Sequence, residues 1–316
     1  MKLGNKFLYN NAWILYIIGV ISLVLVLFFG KNINNATCWF KIPLIGTIQP
    51  SEFMKIFLII VLSRMITEFN DDYKYHTIQD ELKFILKVLF VVLIPSILTF
   101  IEPDTGAVIM YLIITFTMLF IGGIKKRWFF LTALIIAIII STILGIYFLN
   151  SDLFIKIFGS SFFYRMDRIT NWTSSAGLQL NNSLTAVGSA GLTGHGINNT
   201  PIYFPEMQTD FIFSVFASNT GFIGSLFLII TIIFFDLTLI SSVNKTNNLS
   251  DKYSIGGIIA VLLFSQVYNI SMTIGLLPIM GITLPFLSYG GSSLLSYMIL
   301  LGMIFNVSNE SLRYTN

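Results

Sequence analysis

The chain has 316 residues, of which 55% are hydrophobic and only 10% charged, with a net charge of +3. Soluble domains carry roughly 25% charged residues, so this chain lacks the polar surface to cover a globule of its size. Its 30 Phe and 13 Tyr add bulk that a soluble surface could not hide. A disordered chain, a secreted disulfide scaffold and an ordinary soluble enzyme are excluded. The composition is that of an all-α polytopic membrane protein, read as one domain over 1–316.

The excess of 18 Lys and Arg over 15 Asp and Glu is too small to point to nucleic acid. Cys38 has no second cysteine to pair with. Lys2 and Lys6 precede the first apolar run as in a signal peptide, but no small-residue cleavage site follows. The run therefore reads as a spanning helix. Spans need about 20 mostly apolar residues, and in chain order they are expected near 10–30, 52–68, 84–101, 105–124, 128–149, 209–240, 255–279 and 286–308. With the N-terminus inside, twelve of the 18 basic residues fall on the inner side, among them Lys74, Lys83, Lys87 and the Lys125-Lys126-Arg127 loop. That asymmetry predicts N-in and C-in. It leaves one long extracytoplasmic loop over 150–208, carrying Arg165, Asp167, Arg168, Trp172 and a Gly-rich stretch from Gly188 to Gly196. Loops of this length are functional or disordered, and the mixed composition favours a folded, working loop.

Ionisable residues at membrane boundaries carry the functional signal. On this topology three clusters share the outer side: Gln49-Pro50-Ser51-Glu52 with Lys55 one turn further in, Glu102-Pro103-Asp104-Thr105-Gly106, and Pro205-Glu206-Met207-Gln208-Thr209-Asp210. Each also has a plain reading. Ser51 and Thr209 suit helix N-caps, Glu52 and Glu206 suit a first turn, and Asp104 suits a turn after proline. Asp210 opens a strongly apolar run, where desolvation raises a carboxyl pKa while the helix dipole lowers it. Arg165 and Arg168 read as interfacial anchors, or as phosphate ligands if the substrate carries one. His76 and His195 are isolated, with no metal-ligand spacing. Between Gly281 and Ser293, with Pro278 just ahead, prolines, glycines and Ser288, Gly290 and Ser292 interrupt a helix. That segment is either a plain re-entrant turn or one wall of a polar substrate groove.

These segments, in this order, resemble the signatures of the SEDS family (shape, elongation, division and sporulation), the RodA, FtsW and SpoVE proteins. Gln49 to Phe53, Glu102 to Gly106, Pro205 to Phe213 and Pro285 to Ser293 carry the resemblance, and Gly188 to Gly196 adds the family's glycine-rich segment. It covers nearly the whole chain. The family usually carries two further helices before the segment matching 10–30, so the resemblance implies an N-terminally shortened member with orientation preserved. Gln208 stands where the family usually has His, Ser218-Asn219 where it has an acidic pair, and Glu102 where it has Gln.

The resemblance implies a multi-pass enzyme of the bacterial plasma membrane that polymerises glycan strands from lipid II on its outer face, with a class B penicillin-binding protein as partner. It implies Asp210 as the catalytic aspartate, with Glu52, Lys55, Asp104, Arg165, Arg168, Glu206, Thr209, Ser288, Gly290 and Ser292 around the substrate. The donor sugar is α-linked to diphosphate and the polymer is β-linked, so one inverting displacement suffices. One carboxylate can serve as general base. The diphosphate leaves without an acid, unlike the leaving group of a glycosidase, but its charge needs Arg, Lys or a divalent cation such as Mg2+ or Mn2+. Two other readings stand beside the polymerase: a catalytically weak scaffold for the penicillin-binding protein, and a lipid II flippase. A transporter places its charges near the midplane, whereas these carboxylates cluster at one boundary.

Overall fold

The computed structural model describes residues 4–33, 36–42, 46–72, 77–170 and 177–314. Lys2, Lys74, His76 and Trp172 lie outside the described residues, as do the side chains of Arg165 and Arg168. A short α1 (Gly4–Asn10) leads into α2 (Ala12–Phe29), followed by β1 (Lys31–Ile33), β2 (Ala36–Ile42) and β3 (Gly46–Ile48). Then come α3 (Pro50–Asp72), α4 (Ile78–Ile101), α5 (Thr105–Ile121) and α6 (Lys126–Leu149). Three shorter helices follow: α7 (Ser151–Phe158), α8 (Ser160–Thr170) and α9 (Gly177–Gly188). The chain ends with α10 (Ile212–Ser241), α11 (Leu249–Thr273) and α12 (Gly291–Tyr314).

A helix occupies each of the eight expected span positions, and among the described residues six are long and apolar enough to cross a membrane: α2, α4, α6, α10, α11 and α12. Helix α5 is 17 residues long. Helix α3 carries Glu52, Lys55, Arg64 and Glu68, and it packs at the centre of the bundle, with Met54, Leu58, Ile59, Leu62 and Ile66 fully buried. The two least apolar spans, α11 and α12, are the most enclosed. None of the most apolar window of α6 is buried inside the protein, whereas 67% of that of the less apolar α11 is. Lipid cannot satisfy a polar group, but a neighbouring helix can, so the central helices tolerate polar residues that the peripheral ones exclude.

Three expectations are corrected. The chain is not wholly α: β1, β2 and β3 form a small antiparallel sheet in that order, with Lys31 opposite Trp39 and Phe40 opposite Ile48. β-Branched and aromatic residues between the breakers Gly30 and Pro50 favour extended chain. Within the stretch 150–208, expected as one folded loop, α7, α8 and α9 are helical, and Phe154, Phe158, Phe162 and Phe163 stack α7 against α8. The last two spans are displaced from the expected bounds rather than shortened. Helix α11 stops at Thr273, with Gly275 left-handed at φ 80°, and α12 starts at Gly291, leaving an irregular segment over 274–290.

Buried polar clamps fix one end of the bundle. Glu81 accepts from Arg127 Nη2 (2.8 Å) and Trp128 Nε1 (2.7 Å) and pairs with Lys125 Nζ (2.9 Å), locking α4 to the start of α6. Asn5 and Tyr9 donate to Asp251 Oδ1, holding α1 on α11. At the opposite end, Cys38 Sγ donates to the carbonyl of Glu102, and Ser292 Oγ donates to Thr47 O. The sheet is thereby fastened to the α4–α5 turn and to the start of α12.

Helix α10 is broken at Gly221 (φ 68°, ψ −164°), and the glycine-rich turn after α9 occupies the break. His195 N–H donates to Ser218 O and Gly196 N–H to Asn219 O, while Phe222 and Ile223 N–H donate to Gly191 O and Leu192 O. The turn thus replaces the helix bonds lost at the break. A Cβ at Gly194 would collide with the Asn219 carbonyl, and one at Gly221 would collide with the backbone of Gly194 and Leu192. Both residues also have positive φ. Substituting either with Ala should destabilise by on the order of 1–3 kcal/mol, read as a lower melting temperature in detergent. Gly302→Ala, where a Cβ meets nothing within 4 Å, should not.

Glu102 caps α4 with its side chain fully buried and both carboxyl oxygens without a hydrogen-bond partner. Burial, and then the charge of Asp104, push its pKa from 4.5 up to about 8. The protonated form is therefore favoured by the folded state, and that contribution is lost as pH rises from 4.5 through 8. Melting temperature should fall over this window in the wild type. Glu102→Gln, a neutral isostere, should flatten the decline and be the more stable protein above pH 8, as measured by thermal unfolding across a pH series.

Candidate active site

The site lies where the start of α3, the α4–α5 turn, the turn before α10 and the irregular segment 274–290 meet. Helix α3 opens with Pro50, and Glu52 and Lys55 follow at i,i+3 spacing, which puts them on one face. Lys55 Nζ pairs with Glu52 Oε2 at 2.8 Å, although Lys55 is only 2% exposed. A buried ammonium is tolerated only when paired. The pair is braced further: Ser296 Oγ donates to Glu52 Oε2 (3.0 Å), and Nζ stands 5.1 Å from the centre of the Tyr297 ring. Tyr297 OH in turn donates to Ser265 Oγ on α11.

Asp104 is the N-cap of α5. Its Oδ1 accepts from Ala107 N (3.0 Å), and its Oδ2 accepts from Gln49 Nε2 (2.9 Å) and Ser51 Oγ (2.8 Å). Burial is the largest influence on this carboxyl and raises its pKa; the bonds from Ala107 and Ser51 oppose it. Gln49, Glu52, Lys55, Asp104, Gly281 and Thr283 line a cavity of about 20 Å³, room for about one water.

Asp210 ends the turn that leads into α10 and is half-buried. Burial, followed by the charges of Glu206 and Asp104, pushes its pKa from 3.8 up to about 7. Of the two opposing effects weighed from sequence, desolvation wins. A Cβ on Gly281 would lie 3.5 Å from Asp210 Oδ2, so the carboxylate rests against the same residue that walls the cavity. Asp210 takes part in no ion pair among the described residues. Glu206 precedes it in the left-handed region at φ 60° and accepts from Thr209 Oγ1 (2.7 Å).

The structure brings Glu52, Lys55, Asp104, Glu206, Thr209 and Asp210 to one end of the bundle. Ser288 and Ser292 are there too, with their hydroxyls committed to backbone. Ser288 Oγ accepts from Leu284 N and donates to Thr209 O, and Ser292 Oγ accepts from Gln49 N and donates to Thr47 O. At Gly290 a Cβ would collide with Ser293 Oγ. Arg165 and Arg168 lie on α8. His195 is an exposed turn residue whose Nε2 meets Ser189 Oγ at 3.0 Å. Asn269, Ser296 and Tyr297 are absent from the site drawn from sequence. Asn269 had a signal, being a carboxamide within an apolar helix.

No three His, Cys, Asp or Glu among the described residues converge as ligands. The Asp104 oxygens already accept three hydrogen bonds, and Glu52 Oε2 is shared by Lys55 and Ser296.

The fold and sequence have known counterparts. A protein named probable peptidoglycan glycosyltransferase FtsW in Coxiella burnetii is 32% identical over 311 residues, covering 94% of this chain and 78% of that protein. The peptidoglycan glycosyltransferase MrdB of Helicobacter pylori is 32% identical over 299 residues, covering 91% and 73%. A solved chain from a peptidoglycan synthase complex superposes with a TM-score of 0.79 at 24% identity, covering 98% of this chain and 84% of that one. The rod shape determining protein RodA of Thermus thermophilus gives a TM-score of 0.67 at 24% identity, covering 98% and 81%. Residues 1–313 match the family described as cell cycle protein, FtsW/RodA/SpoVE, and the chain belongs to that family.

Proposed function

We propose that this chain is a peptidoglycan glycosyltransferase that polymerises lipid II, with Asp210 as general base. The observation that carries the reading is a half-buried carboxylate with a pKa near 7, resting against the wall of a polar cavity. A base works best when its pKa lies near the operating pH, and an ordinary aspartate at 3.8 would be about three orders of magnitude weaker as a base. Relatives named peptidoglycan glycosyltransferase at 32% identity support the same reaction class.

In the step, an acceptor sugar hydroxyl oxygen bonds to the anomeric carbon of the donor as the bond from that carbon to the diphosphate oxygen breaks. The electron pair departs on the lipid diphosphate, the hydroxyl proton goes to Asp210, and the configuration inverts. Lys55 supplies positive charge at the cavity wall, and Arg165 and Arg168 on α8 are further candidates for the diphosphate. The chain is a multi-pass plasma membrane protein. The basic residues favour N-in and C-in across eight spans, which puts the Asp210 end outside, where the sheet and α7 to α9 also belong. A class B penicillin-binding protein is the proposed partner, supported by the likeness to a synthase complex that couples polymerisation and crosslinking. Clustering of the charges at one end, away from the midplane, speaks against a flippase.

The test is glycan synthesis from labelled lipid II by the full chain with its class B partner, with moenomycin present to silence class A enzymes. Asp210→Ala should lose about 10²-fold or more in rate. The wild-type rate should fall as pH drops through about 7 and Asp210 takes up its proton. Wild-type polymerisation by Asp210→Ala would overturn the assignment.

A further inference from the structure

Asn269 lies on α11, one turn before the helix ends, and is completely buried. Its carboxamide touches neither the cavity nor the Asp210 carboxylate. Nδ2 donates to two backbone carbonyls from different segments, Asp210 O at 2.8 Å and Ile282 O at 2.8 Å. The first belongs to the turn that carries the proposed base. The second belongs to the irregular segment whose Gly281 backs the Asp210 carboxylate and lines the cavity. Both amide hydrogens are used, one on each segment, while Oδ1 is buried with no partner. An apolar residue would fill this place in the helix without that unpaired oxygen, so the amide's contribution is the link between the two carbonyls.

Two further bonds join the same segments, Ser288 Oγ to Thr209 O and Tyr289 N to Gln208 O, but both enter through residues preceding Asp210. Among the bonds described, Asn269 alone donates to the Asp210 carbonyl, while the N–H of that peptide, on Phe211, bonds within the turn to Glu206 O. Neither segment is regular, so no helix or sheet ladder fixes their spacing.

We propose that Asn269 is a positioning residue for the glycosyl-transfer step, setting the place of the Asp210 peptide against the Gly281–Ile282 wall. This rests on the reading of Asp210 as the base. Small displacements of a catalytic group are costly, with about 1 Å capable of lowering the rate about 10²-fold. Removing the amide frees the Asp210 turn to shift away from the wall toward solvent, relieving the burial that dominates over Glu206 and Asp104 in raising its pKa.

The experiment compares Asn269→Leu with Gln266→Leu in the lipid II assay, using the full chain with its class B partner. Gln266 is the matched control: it is a buried amide one turn earlier on α11, bonded to Asp236 and away from the site. Per folded molecule, Asn269→Leu should lose about ten- to a hundredfold in kcat with KM little changed, and the acidic limb of its pH–rate profile should move to lower pH. Gln266→Leu should lower melting temperature while leaving kcat and the limb in place. If Asn269→Leu does not fold, Asn269→Ser, which keeps one donor, is judged by the same two readouts. Unchanged kcat and an unmoved limb in the folded Asn269 variant would overturn the proposal, whatever its melting temperature. Asp210→Ala separates the two assignments: if it is inactive while the Asn269 variant is normal, only the positioning role fails. If it polymerises normally, there is no base to position and both fail.

Discussion

Irregular backbone within an apolar bundle must find its hydrogen-bond partners inside the protein, because lipid offers none. Three stretches near Asp210 depart from helix, and each is satisfied by specific groups. The break in α10 is closed by the glycine-rich turn, whose backbone supplies two donors and two acceptors. Segment 274–290 is held by Asn269 at Ile282 and by Ser288 at Leu284. The turn before α10 is held by Asn269, Ser288 and the backbone of Tyr289. Remove those partners and there is no low-energy path for the chain except continuous helix, which would bring none of the functional groups together. The small and polar residues of the signature segments are therefore largely structural in immediate role. They make irregular backbone affordable where the site needs it.

The carboxyls at this end are separated in function by their surroundings. Glu52 is held by Lys55 and Ser296, and that pair lets an ammonium stay at the cavity wall inside a helix bundle. Asp104 serves as N-cap and as the acceptor joining Gln49 and Ser51 to α5. Glu102, buried and without partners, is stable there only when neutral. A protonated glutamic acid has nearly the shape of glutamine, so the buried site holds a neutral side chain of this size with no charge to satisfy. Had all three been ionised together around one ammonium, mutual repulsion would dominate the end of the bundle.

Much of this was legible in the sequence because membrane proteins announce themselves by composition. Long apolar runs placed a helix at each of the eight expected positions, and polar residues at their ends marked Glu52, Lys55, Asp104 and Asp210 before any coordinates. The failures have physical causes. The sheet over 31–48 is too short for alternation to register, and docking through Cys38 and Thr47 adds to the extended preference of its residues. The stretch 150–208 read as loop because no run there is long enough to span, although α7 and α8 need only an aromatic seam to fold. Ser288 and Ser292 looked like substrate ligands because hydroxyls beside glycine suit both a groove wall and a backbone brace. Only coordinates distinguish those. Asn269 was passed over because its partners are carbonyls, which no side-chain motif records.

The geometry also narrows which carboxylate can act on a substrate. A cavity with room for about one water cannot enclose a sugar, so on the proposed function a lipid-linked disaccharide lies across its mouth. Glu102 is sealed from that mouth. The lone pairs of Asp104 are taken by three donors, and releasing them would uncap α5 and detach Gln49 and Ser51. Protonating Glu52 would strand the buried charge of Lys55. Glu206 is exposed and its carboxylate is engaged by the Thr209 hydroxyl. Asp210 is the remaining group. It is partly exposed, its carboxylate accepts no hydrogen bond among the described residues, and its backbone is fixed from behind by Asn269. It can therefore take up and release a proton without dismantling anything that holds the site together.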